Sequence, residues 1–134
     1  MKKDTKFWED KQKKCIKKKV SWSNFDSDMN EYASTIDSKK YVGIYAIPRG
    51  GLVLGVKLSH LLGLPLLLSP CDKCLIVDDI LDSGETVKPL LQKFEKTCAF
   101  YFWFVLEKSL TDYWSCITFT NVKKKNYWLT FPWE

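Results

Sequence analysis

The residues equipped for chemistry cluster in one stretch of the chain. Asp78 and Asp79 are adjacent carboxylates, Asp82 follows three residues later, and Ser83-Gly84-Glu85-Thr86 makes a turn rich in small and hydroxyl-bearing residues. A turn of this kind between a strand and a helix leaves backbone N–H groups free to receive an anion such as phosphate. Acids beside it can accept hydrogen bonds from sugar hydroxyls or ligate a metal. A second cluster is Pro48-Arg49-Gly50-Gly51, which holds the single arginine among 21 basic residues. The planar fork of an arginine grips two phosphate oxygens at once, which a lysine cannot do. The chemistry these residues suggest is phosphate binding with carboxylates at its side.

The flanking sequence predicts the elements that carry them. Leu75-Ile76-Val77 is an apolar run long enough for a buried strand and too short for a helix, and it ends in the two acids. Pro89 fits early in a following helix that begins at about Thr86 to Lys88, with Leu90, Leu91 and Phe94 as its apolar face. Tyr41–Ile47 reads as a second buried strand, feeding through the Arg49 turn into an apolar helix over Leu52–Leu62 that Gly63 stops. Upstream, Lys19–Trp22 alternates as an edge strand. Ser23 is placed to cap a helix whose buried face is Phe25, Met29, Tyr32, Ala33 and Ile36. Leu64–Leu68, Ala99–Leu106 and Ser115–Val122 read as further strands, with lysines 123–125 as a solvated turn. Alternating strands and helices with short links predict an α/β fold, a mainly parallel twisted sheet flanked by helices. Ligands in such folds bind outside the carboxyl ends of the strands, where Arg49, the Asp78–Thr86 turn and Lys108 would meet.

Composition sets the class. A length of 134 residues with 46% hydrophobic and 28% charged content suits one globular domain. No apolar run approaches a membrane span and no secretory signal opens the chain, so a cytoplasmic protein with no membrane partner is expected. The five cysteines are odd in number and scattered, as reduced thiols are. Cys71-Asp72-Lys73-Cys74 has C-x-x-C form and leaves open a redox or zinc role, although no second pair accompanies it and His60 is the only histidine. The net charge of +5 comes from the N-terminus, whose first 19 residues carry nine lysines against Asp4, Glu9 and Asp10. The chain therefore divides into a basic arm over 1–18 and a domain over 19–134. Nucleic-acid contact is expected only through the arm.

The string Val77-Asp78-Asp79-Ile80-Leu81-Asp82-Ser83-Gly84-Glu85-Thr86 resembles the phosphoribosyl-pyrophosphate motif of the type I phosphoribosyltransferases. Ile47-Pro48-Arg49-Gly50-Gly51 is similar to the pyrophosphate loop of their bacterial xanthine–guanine and hypoxanthine branch. Lys108 after a hydrophobic strand and the terminal Trp128-x-x-x-Pro132-Trp133-Glu134 fit that branch too. The resemblance covers residues 19–134. It implies transfer of a phosphoribosyl group from phosphoribosyl pyrophosphate to a 6-oxopurine, giving a nucleoside 5′-monophosphate, by a dimeric or tetrameric enzyme that uses Mg²⁺. It implies that Asp78 and Asp79 hold the ribose hydroxyls, directly or through the metal, and that Ser83, Gly84, Glu85 and Thr86 hold the 5′-phosphate. Arg49 and Gly50 would face the pyrophosphate, with Arg49 and Asp82 catalytic, the latter near the purine N7. Lys108, Trp128 and Leu129 would bind the base, and Glu134 would help Asp78 and Asp79 with metal.

Two departures accompany this resemblance. The family carries a long loop before the phosphoribosyl-pyrophosphate strand that closes over the reacting centre, and Ser69–Lys73 leaves no room for one. Thr130 stands where the xanthine–guanine enzymes place a glutamate that reads the purine 2-substituent. An alternative function follows: a nucleotide-binding or regulatory protein of weak or no turnover that binds a GMP-like nucleotide and touches RNA through its lysine arm.

Overall fold

The computed structural model describes residues 15–106 and 111–134. Its elements in chain order are β1 (Ile16–Lys19), α1 (Trp22–Ser34), β2 (Gly43–Ala46), α2 (Gly51–Leu62), β3 (Cys74–Leu81), α3 (Lys88–Phe94), β4 (Ala99–Leu106), β5 (Ile117–Lys123) and β6 (Tyr127–Thr130). Short 3-10 turns lie at Ser38–Lys40 and Thr111–Cys116. The strands form two sheets, one of four strands in the order β2-β3-β4-β5 and one of two strands, β1-β6. Every pairing is parallel.

The four-stranded sheet is apolar on both faces because both are covered. Leu75 and Val77 of β3 and Tyr101 and Trp103 of β4 pack against Phe25 and Met29 of α1 and Leu54 and Leu58 of α2. The alternate residues Cys74, Ile76, Phe100 and Phe102 pack on the other side with Leu91 and Phe94 of α3. The two-stranded sheet is anchored differently. Phe131 and Trp133, just after β6, stack at a ring separation of 5.1 Å, and both lie against Trp103, at 5.7 and 6.1 Å. Trp103 is completely buried and donates from Nε1 to Asp28 of α1 at 2.8 Å. It is the joint between the two sheets.

Several elements differ from the sequence reading. The first strand is Ile16–Lys19, not Lys19–Trp22, since Trp22 already begins α1. Ser21 caps that helix in place of Ser23, its hydroxyl accepting from the Asn24 amide at 3.0 Å. Lys17 and Lys18, read as part of the arm, belong to a strand paired with β6, Lys17 opposite Trp128 and Lys18 opposite Leu129. Leu64–Leu68 is not a strand. Pro65 has no amide to donate, and the segment makes one bridge, with Ile44 donating to Pro65 O and Leu67 to Ile44 O. β3 does not stop at Val77 but runs through both acids to Leu81, because Asp78 and Ile80 find register partners in Phe102 and Phe104. Likewise β5 begins after the Thr111–Cys116 turn and includes Lys123, in register with Leu106.

Candidate functional site

β3 carries Asp78 and Asp79 to the carboxyl end of the sheet and fixes each carboxylate locally. Asp78 Oδ1 accepts from the Asp79 amide and Asp79 Oδ1 from the Ile80 amide, both at 2.8 Å. The chain then turns. Gly84 has a φ of +79°, a left-handed conformation that glycine adopts without steric cost, and its carbonyl accepts from Lys88 N at 2.9 Å. Ser83 Oγ faces Glu85 N at 3.5 Å. Asp78, Asp79, Asp82, Ser83, Gly84 and Thr86 line a cavity of about 270 Å³ that Gly50 and Phe102 help to close.

The Arg49 turn meets this cavity from β2. Its Pro48–Arg49 peptide is cis. Gly50 lies directly on the Asp79 carboxylate, so close that any Cβ at this position would collide with its Oδ2. Arg49, Gly50, Asp79, Trp133 and Glu134 line a neighbouring cavity of about 540 Å³. A further cavity, of about 240 Å³, lies between Asp79, Asp82, Lys123, Trp128, Leu129 and Glu134. The three spaces meet at Asp79, which lines all of them. Glu134 is held at this junction by its Oε1, which accepts from the Phe131 amide at 3.3 Å.

The electrostatics of the junction favour a cationic or polyhydroxylic guest. Burial first, and then the charge of Asp79, push the Asp78 carboxyl up to about 8. Burial also raises Asp79, and Glu134 adds to the rise. Among the described residues the ion pairs are Lys57–Asp26 at 3.3 Å and Lys123–Asp82 at 3.9 Å, so neither Asp78 nor Asp79 has a cation of its own. No three His, Cys, Asp or Glu side chains converge as a ready-made metal cage among the described residues. Asp78 and Asp79 are the carboxylates that could hold Mg²⁺, a metal that binds through one or two carboxylates and completes its shell with ligand and water oxygens.

Most of the residues singled out in the sequence line one of these three spaces. Glu85 is exposed and is not among the residues that line the cavity of about 270 Å³. Lys108 lies outside the described residues. Lys123 was missed. It was read with Lys124 and Lys125 as one solvated turn, yet it is 8% exposed and lines the cavity beside Trp128. Nothing in a run of three lysines separates the first from the others; its burial follows from β5 continuing one residue past Val122. Cys74 is buried with its sulfur 3.7 Å from that of Cys98, while Cys71, its partner in the C-x-x-C spacing, is exposed.

No protein-family model matches the chain, and no curated protein does. Solved structures do. A purine phosphoribosyltransferase from Pyrococcus horikoshii is 26% identical with a TM-score of 0.71, covering 88% of this chain and 94% of that one. A xanthine-guanine-hypoxanthine phosphoribosyltransferase from Helicobacter pylori is 18% identical with a TM-score of 0.64, over 88% and 93% of the two chains. A hypothetical protein from Neisseria gonorrhoeae with bound ppGpp is 16% identical with a TM-score of 0.67, over 89% of each chain. With its Asp78–Thr86 motif at the carboxyl end of a parallel sheet, the chain has the type I phosphoribosyltransferase fold and is similar to the purine members of that family.

Proposed function

We propose that the protein is a purine phosphoribosyltransferase acting on a 6-oxopurine and phosphoribosyl pyrophosphate. The observation that carries this is the meeting of three cavities at Asp79: one lined by the phosphate turn, one by the Arg49 turn and one by Trp128. The substrate has three parts to match, a 5′-phosphate, a pyrophosphate and a site for the incoming base, all branching from one ribose.

In this reading the Ser83–Thr86 turn holds the 5′-phosphate, and Asp78 and Asp79 accept from the ribose 2′ and 3′ hydroxyls. Arg49 and the Gly50 backbone face the pyrophosphate, which departs with the electron pair of the broken C1′–O bond. The purine, stacked on Trp128 beside Leu129, forms the new C1′–N bond, and Asp82 takes the proton that the ring nitrogens release. Lys108 would donate to the exocyclic oxygen. Mg²⁺ held by Asp78 and Asp79, with Glu134 assisting through water, would supply charge neutralisation at the pyrophosphate. The protein would work as a homodimer or tetramer in the cytoplasm. Incubation with phosphoribosyl pyrophosphate, Mg²⁺ and each of guanine, xanthine, hypoxanthine and adenine tests the reading. Nucleotide should form with at least one oxopurine, and absence of product from every base at high enzyme concentration rejects transfer.

A second reading has its own observation. Residues 63–73 alone join α2 to β3, and their last residues are pinned, with Val42 donating to Lys73 O, Lys73 to Thr97 O and the Thr97 hydroxyl to Asp72. No closing loop projects from this link, so water would reach the reacting centre. This reading gives the chain guanine-nucleotide binding without turnover, and nucleotide binding on this fold has a parallel in the Neisseria neighbour, which holds ppGpp. Tight GMP binding without product in the base panel would identify it. In this reading the lysine arm touches RNA, and that contact should weaken steeply with salt.

A further inference from the structure

Lys123 is the one charged residue classed as buried among the described residues. Burial of an ammonium is unfavourable unless its donors are met. Here the partner is Asp82, at 3.9 Å, longer than a hydrogen bond, and the Asp82 side chain is 58% exposed. Such a pair adds little to stability, and since no buried side-chain nitrogen among the described residues lacks a partner, the ammonium keeps a face toward open space where a ligand acceptor can reach it. The Lys123 side chain lines the cavity of about 240 Å³ together with Trp128, which is 60% exposed.

We infer that Lys123 is a specificity-determining residue that reads position 6 of the base. This rests on the phosphoribosyltransferase reading, in which Asp82 faces the purine N7. N7 and the substituent at position 6 lie side by side on one edge of the purine, and that substituent is an acceptor oxygen in oxopurines but an amino donor in adenine. A cation next to the acid that meets N7 is therefore set to donate to a 6-oxo group. A 6-amino group would place donor against donor and leave the ammonium unmet. The selectivity comes from β5, independently of Lys108.

Inosine and adenosine 5′-monophosphate differ on this edge, and calorimetric binding of each to the full chain provides the test. Wild-type protein should prefer the inosine nucleotide. Lys123→Met should reduce that preference by about tenfold to a hundredfold, the range for a lost hydrogen bond to a charged group, and Lys123→Arg should retain most of it. Lys123→Gln serves in the same way if the methionine variant does not fold, and it should lose preference in the same direction. An unchanged ratio in a folded variant overturns the inference, as does an equal loss for both nucleotides, which a purely structural role would give. Wild-type protein that binds neither nucleotide overturns the phosphoribosyltransferase reading and this inference with it.

Discussion

The four-stranded sheet and the two-stranded sheet build the two halves of the site by different means. The larger sheet is held from both faces, and its central strands are almost wholly apolar until β3 reaches Asp78. Its acids and its phosphate turn are positioned by backbone hydrogen bonds inside one strand and one turn. The smaller sheet has four residues in each strand, β1 is exposed along its length, and its position depends on aromatic rings docked on Trp103. A two-stranded sheet is marginal by itself. The end of the candidate site built by β3 and its turn is thus rigid by construction, while the end built by the small sheet, where the proposed function puts the base, is as firm as its aromatic anchor.

Removing that anchor should have the largest effect. Trp103→Ala empties the centre of both attachments and should cost about 3–5 kcal/mol of stability, read by denaturant unfolding. If the variant remains folded but base binding fails before phosphate binding does, the two halves are separable as described. Unfolding in one transition with no such order would show that they are not.

Asp78→Asn combined with Asp79→Asn addresses the rigid half. Transfer should fall about a hundredfold because each side chain loses its negative charge and one of its two acceptor oxygens, putting an amide donor against the ribose hydroxyls, whereas the fold should survive. The pH response sharpens the point. An acid whose folded-state value is raised keeps protons that the unfolded chain has released, so its contribution to stability is full in the acid range and is lost as pH rises from the ordinary carboxylate range to about 8. The ligand-free protein should therefore melt at a higher temperature at pH 5 than at pH 8. The double variant should flatten this difference, and a divalent cation at pH 8 should restore melting temperature to the wild type only.

The smallest effect belongs to the open face of the small sheet. Trp128→Ala should weaken nucleotide binding by about 1–3 kcal/mol, the range for loss of a base-stacking aromatic. Because the ring is 60% exposed, melting temperature should not move. A fall in melting temperature would make Trp128 part of the anchor instead of a surface for the base.

The same contrast governs what the sequence disclosed. β4 was read to its ends, Ala99–Leu106, because a long bulky apolar run has few alternatives in a covered sheet. α2 and its Gly63 stop were equally plain, the glycine lying at a φ of +65°. The Asp78–Thr86 turn and its place on a cavity were legible because its features are local: acids, glycine and hydroxyls adjacent in the chain. The small sheet was not legible, since Ile16–Lys19 has three lysines and no apolar alternation, and becomes a strand only because β6 supplies its partner. Lys123 was hidden for the same reason, its burial being a product of neighbours brought from elsewhere in the chain.

The pairing of β1 with β6 also sets an order of assembly. Ile16 lies opposite Tyr127, more than a hundred positions away, whereas β2, β3 and β4 meet partners close by in sequence. Closing the longer loop has the larger entropic cost, and such contacts form late. A refolding chain should recover its Asp78–Thr86 turn first and the β1–β6 sheet last.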